Sequence, residues 1–66
     1  MTHHRATVYQ GDDEQWYWRV QAANNEIVSE GEGYTERAHA IAGLRSAHPE
    51  FAEADLSVGQ ATVDVE

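Results

Sequence analysis

Between Gln15 and Ala22 every second side chain is apolar: Trp16, Trp18, Val20 and Ala22 alternate with Tyr17, Arg19 and Gln21. A period of two sends the two sets to opposite faces of a β-strand. This stretch therefore belongs to a sheet with two indoles on one face and a phenol and a guanidinium on the other. So large an apolar face needs a covering layer. The chain has 66 residues to supply it and no Cys, so neither a disulfide nor a Cys-rich zinc site can staple the fold. A single domain over 1–66 fits this length, and a domain so small is short of core unless a partner chain adds to it.

The neighbouring segments extend the sheet. Ala23-Asn24-Asn25-Glu26 predicts a tight hairpin turn, because Asn is the non-glycine residue that best tolerates positive φ. Thr7, Val8 and Tyr9 favour extended backbone and run into the turn-like Gly11-Asp12-Asp13-Glu14. Strands are expected at 6–10, 15–22 and 26–30. Residues 1–5 show no period and read as a loose terminus, with His3 and His4 on a frayed end.

After Gly31-Glu32-Gly33 the pattern changes. Thr35 reads as a helix N-cap with Glu36 in the first turn, and Ala40, Gly43, Leu44 and Ala47 recur at helical spacing. A helix over 35–48 follows, ended by Pro49. Gly43 costs roughly 1 kcal/mol in a helix interior, which close approach to the Trp-bearing strand would offset. Ala38, Ile41 and Ala42 widen the apolar arc beyond one contact surface and point to a second chain. Phe51 reads as the anchor of a polar connector. Ala61, Val63 and Val65 alternate with Thr62 and Asp64 in a last strand over 57–65, with Gly59 at a bend or bulge. The order is β-β-β-α-β, an α+β class.

Charge narrows the setting. Four Arg stand against twelve acidic residues, a net charge of −8, and there is no Lys. Carboxylates hold water and cations where the apolar Lys stem is salted out, so this balance points to a high-salt interior. Nucleic acid is disfavoured by the lack of a basic patch. No apolar run is long enough for a membrane span or a signal peptide, and a cytoplasmic protein is expected.

The run from Trp18-Arg19 through Asn24-Asn25-Glu26-Ile27, then Glu32-Gly33-Tyr34-Thr35 and Gly43-Leu44, resembles the YegP-like family of small uncharacterised proteins over about residues 7 to 47. The family pattern is an aromatic-Arg strand, an Ala-x-Asn-Gly turn, a Ser-Glu-Gly-Tyr-Ser helix start and a Gly-Ile pair within the helix. This chain departs from it at Asn25, where Gly is usual, at Gly31, where Ser is usual, and at Ile41-Ala42, where a polar Glu-Asn pair is common. The resemblance implies two β-β-β-α-β units forming one antiparallel sheet, with exchanged C-terminal strands and helices on one face. One copy of the motif then implies a homodimer, with Ala38, Ile41, Ala42, Ala61, Val63 and Val65 at its interface. No enzymatic activity comes with the family.

Chemical motifs are sparse. Glu36 and His39 share a helix face at i, i+3, a spacing used in carboxylate-bridged di-metal bundles, but both fall on the polar arc and read as solvated. His48 reads as a cation at the helix C-terminus. Ser29, Ser46 and Ser57 lack a His and acid at recognisable spacing. Gly31-Glu32-Gly33 is too acidic for a phosphate loop, and Asp12-Asp13-Glu14 lacks the alternating ligands of a calcium loop. No cofactor or metal site is expected. Tyr17 and Arg19, with Tyr9 alongside, should form an aromatic and cationic surface opposite the helix, where a partner would bind. The reading is a non-enzymatic homodimeric binding module adapted to high salt. Its alternative is a small-ligand or metal-binding protein with a site at the dimer seam near Glu36 and His39.

Overall fold

The computed structural model describes residues 2–31, 33–56 and 59–65. Its elements are β1 (Thr2–Gln10), β2 (Trp16–Gln21), β3 (Ile27–Glu30), α1 (Arg37–Ala47), a 3-10 turn (Pro49–Phe51) and β4 (Gln60–Val65). The strands form one sheet in the order β3-β2-β1-β4, every neighbour antiparallel. The class is α+β, with the expected β-β-β-α-β order. Within this chain β4 pairs with β1.

Register places the apolar residues in line. Ala6 faces Val20 and Val8 faces Trp18 across β1 and β2, while Ala6 faces Ala61 across β1 and β4. Over them pack Ala40 and Leu44 from α1, with Phe51 and Leu56 from the connector; these four with Ala6, Val8, Trp18 and Val20 form the buried core, and Ala61 packs partly buried against it. The connector thus completes the core from outside the regular elements.

Two expectations about element boundaries are corrected. Residues 2–5 are not a loose terminus but the first half of β1, paired with β4 through His3↔Asp64, His4↔Val63 and Arg5↔Thr62. Their alternation was hidden because His4 takes an inward position where an apolar residue would ordinarily stand. Helix α1 begins at Arg37, with Glu36 rather than Thr35 at the N-cap and no side-chain cap bond. The reason lies one step earlier: Trp16 N–H donates to Tyr34 O at 2.7 Å and Tyr34 N–H to Trp16 O at 2.8 Å. That bridge keeps the backbone extended through Tyr34, so the helix can turn only after it.

The same bridge explains Gly43. A Cβ there would stand 2.2 Å from Tyr34 Oη and 2.7 Å from Cζ. The close approach that offsets this helix glycine is made by Tyr34, not by the indoles. Gly59, just before β4, has φ +85°, a region that L side chains rarely adopt. Its carbonyl accepts from Val8 N–H at 2.5 Å, which brings the returning chain onto β1.

Two arginines fasten the connector to the helix. Arg45 Nη2 donates to Ala54 O at 3.0 Å, and Arg37 Nη2 donates to Leu56 O. Half of the chain's cations are therefore spent on backbone carbonyls that no regular element satisfies.

A third fastening joins β1 to the helix end. His4 Nδ1 lies 3.2 Å and His48 Nδ1 3.3 Å from the same Glu50 Oε2, with all three side chains largely buried. A carboxylate can only accept, so each imidazole donates to it from Nδ1–H. The His48 ring also meets Trp18 edge-on at 5.6 Å. Burial pushes the Glu50 carboxyl up, but its own backbone N–H and the two imidazoles together hold it below its ordinary value. A depressed carboxyl contributes stability above its unfolded-state pKa and loses it as pH falls through the folded value. Glu50→Gln should accordingly cost stability at neutral pH, and the gap from the parent should close in acid; denaturant melts across the acid range measure it, and a gap independent of pH would reject the linkage.

Candidate functional site

The face opposite the core carries His3, Arg5, Thr7 and Tyr9 from β1, Tyr17, Arg19 and Gln21 from β2, and Gln60, Thr62 and Asp64 from β4, as the pairing register requires. Among the described residues no element lies over it. Tyr9 and Tyr17 are directly opposed across β1 and β2, and their rings stack with centroids 5.7 Å apart and planes 24° from parallel. Arg19, opposite Thr7, sets its guanidinium carbon 5.3 Å from the Tyr9 centroid, within cation–π range. The three residues singled out in the sequence are thus brought together in one ladder.

The first hairpin fixes one end of that ladder. Tyr17 O–H donates to Asp13 Oδ2 at 2.5 Å, and Asp13 Oδ1 accepts from Gln15 N–H at 3.1 Å. These bonds lower the Asp13 carboxyl below its ordinary value, the tyrosine bond most of all. The same bond, more than burial, raises the Tyr17 phenol. Tyr17 stays protonated with its hydrogen committed, so it offers a flat ring and an acceptor oxygen rather than a base or nucleophile. The acidic turn serves the ladder: Asp13 orients Tyr17, and Glu14 takes φ +67° in the bend.

At the other end, Arg5 Nη2 donates to Asn25 Oδ1 at 3.0 Å and lies 3.4 Å from Gln21 Oε1. Asn25 holds the positive φ expected of this turn, 68°. Beside it is a depression of about 170 Å³ lined by His3, Arg5, Ala22, Ala23, Asn25 and Thr62. His3 Nδ1 lies against Asp64 Oδ1. Sequence reasoning missed Arg5 and His3 because it left residues 1–5 out of the sheet; the alternation of His3, Arg5, Thr7 and Tyr9 against His4, Ala6 and Val8 was the available signal.

The other residues proposed from sequence are placed differently. Glu36 Oε2 and His39 Nε2 are 3.3 Å apart on an exposed turn of α1, an ordinary surface pair. Among the described residues no group of three or more His, Asp or Glu is arranged to hold a metal ion. Ala38 and Ala42 are exposed, while Ile41, Ala61 and Val63 are partly buried against the core of their own chain; the side chain of Val65 lies outside the described residues. No helix among the described residues is long and apolar enough to cross a membrane.

The fold and this face define a small α+β protein whose sheet is covered by a helix on one side and bare on the other. The chain belongs to the DUF1508 family, a domain of unknown function whose family model matches residues 12–56, and this is the family of the YegP-like resemblance. It is 40% identical over 42 residues to UPF0339 protein NMB1088 of Neisseria meningitidis serogroup B, covering 59% of this chain and 75% of that protein. UPF0339 protein NMA1193/NMA1859 of serogroup A matches to the same extent. The fold is similar to the NMR solution structure of a protein from Haloferax volcanii, with TM-score 0.64 and 26% identity over 79% of this chain and 88% of that one. The family match contains Tyr17 and Arg19 but stops short of Tyr9, Arg5 and β4.

Proposed function

We propose that the protein is a non-catalytic binding module of a high-salt cytoplasm that recognises its partner on the bare sheet face through Tyr9, Tyr17 and Arg19. The observation that carries this reading is the Tyr17, Tyr9 and Arg19 ladder, oriented at one end by Asp13. Its rings are stacked on each other and Tyr17 is tied to Asp13, so little side-chain freedom is lost when another surface covers them. Tyr and Arg are also the residues on which binding energy concentrates. The high-salt setting is supported by the net charge of −8 without Lys and by the likeness to the Haloferax volcanii protein.

The working form is a homodimer. Exchange of C-terminal strands would keep the β1 and β4 register of this chain while making it between copies, and exposed Ala38 and Ala42 would lie available to the second copy.

The test is amide shift mapping in molar KCl with fractionated lysate, with light scattering on the same sample. Shifts centred on residues 9, 17 and 19 that vanish in Tyr17→Ala, from a protein of dimeric mass, are the expected result. Shifts confined to the helix face would overturn the surface assignment, a monomeric mass the dimer, and loss of the fold in molar KCl the high-salt reading.

A further inference from the structure

We infer that the depression beside Arg5 is a binding site for an oxyanion, a carboxylate or a phosphate group. The site shares the bare face with the tyrosine ladder and deepens the proposed function by naming what its partner carries, but it stands on separate residues.

An exposed arginine ordinarily samples many rotamers, and its charge is either solvated or paired with a carboxylate. Here Nη2 is tied to the side-chain oxygens of Asn25 and Gln21. Both acceptors are neutral amides, so they orient the guanidinium without cancelling its charge. Asn25 is itself fixed by the hairpin, where Asn25 N–H donates to Ala22 O at 2.9 Å. In a chain with twelve acidic residues, no described carboxylate lies within ion-pair distance of Arg5 or Arg19. Guanidinium has five N–H donors, and no described group engages those on Nη1 or Nε of Arg5. With Nη2 committed, the free Nη1 and Nε donors point to different sides of a fixed guanidinium, so an oxyanion is taken through single charge-assisted bonds rather than a two-bond fork.

The surroundings fit one such group. Thr62 stands directly across from Arg5 in the β1 and β4 register and adds a hydroxyl donor, while Ala22 and Ala23 form a small apolar wall. A volume near 170 Å³ suits the head of an anion or one acidic side chain rather than a folded surface. Asp64, the carboxylate that would oppose binding, is engaged by His3. The net charge of −8 repels anions at a distance, but that field is screened within about 3 Å at molar salt, leaving the contact at the guanidinium to decide.

The experiment replaces chloride at constant ionic strength by inorganic phosphate, by acetate, and by a short Asp- and Glu-rich peptide, following amide shifts of the full chain. Saturable shifts at Arg5, Asn25 and Thr62 are expected, weakened about tenfold by Arg5→Gln, the loss of one charge-assisted pair. Glu53→Gln, exposed on the connector, should leave them within about twofold. A peptide that saturates below acetate at equal carboxylate concentration assigns the anion to a partner's acidic segment; equal behaviour, or phosphate alone, assigns it to a free small anion. No saturable shift at Arg5 with any of the three, or an Arg5→Gln titration matching the parent, overturns the inference. Failure of Tyr17→Ala to disturb the lysate partner, with the phosphate titration intact, would count against the proposed function alone.

Discussion

Phe51→Ala is expected to leave the chain largely unfolded at room temperature. Phe51 heads the fully buried side chains, and it is carried by a three-residue 3-10 turn rather than by a strand or α-helix. Truncating a buried Phe costs about 3–5 kcal/mol, from lost transfer energy and the cavity left behind. A domain of this size commonly holds only about 3–5 kcal/mol in total. The cavity would open between the helix, the connector and the strands, where neither a disulfide nor a second core layer limits collapse. Loss of amide dispersion and of near-ultraviolet dichroism measures the outcome. A variant that melts within a few degrees of the parent would show that the connector does not complete the core.

Gly43→Ala should also destabilise, against the sign that helix propensity gives. In an exposed helix interior the change gains roughly 1 kcal/mol. Here the new methyl meets the Tyr34 ring, its Oη at 2.2 Å and its Cζ at 2.7 Å. Tyr34 cannot step aside cheaply, because its ring is packed against the core and its backbone is bridged to Trp16 in both directions. Overpacking of this kind costs about 1–3 kcal/mol beyond any propensity gain. The double-mutant cycle is decisive: with Tyr34→Ala in the background the ring is gone, and Gly43→Ala should become stabilising. If the substitution stabilises the parent as well, the ring does not hold the position assigned to it.

Local reading of this chain succeeds at Phe51 and fails at Gly43. The β2 alternation of Trp16, Trp18 and Val20 with Tyr17 and Arg19 identified a two-faced strand, and the structure puts Trp18 in the core and the Tyr17 and Arg19 pair on the bare face. Asn25 was legible as a turn residue because few side chains accept its φ. Phe51 was legible as an anchor because it is the one aromatic residue in a polar stretch. By contrast, β1 was read too short, since polar His4 occupies an inward position that only the distant Glu50 and His48 make tolerable. The helix start was misplaced by one turn-forming residue because the Trp16 and Tyr34 bridge, a contact 18 residues long in sequence, overrides the capping preference of Thr35.

The sequence by itself determined the class of fold, the two-faced strand at its centre, the absence of disulfides, and the common face of Tyr9, Tyr17 and Arg19. These are properties of short-range periodicity and composition, which a single strand or helix already expresses. Tertiary structure alone decided that residues 2–5 are strand, that Gly43 answers to Tyr34, that Arg37 and Arg45 hold the connector, and that Arg5 is oriented by neutral amides. Each of these joins groups far apart along the chain, and a side chain's partner across that distance is set by how the layers pack, which no local pattern encodes.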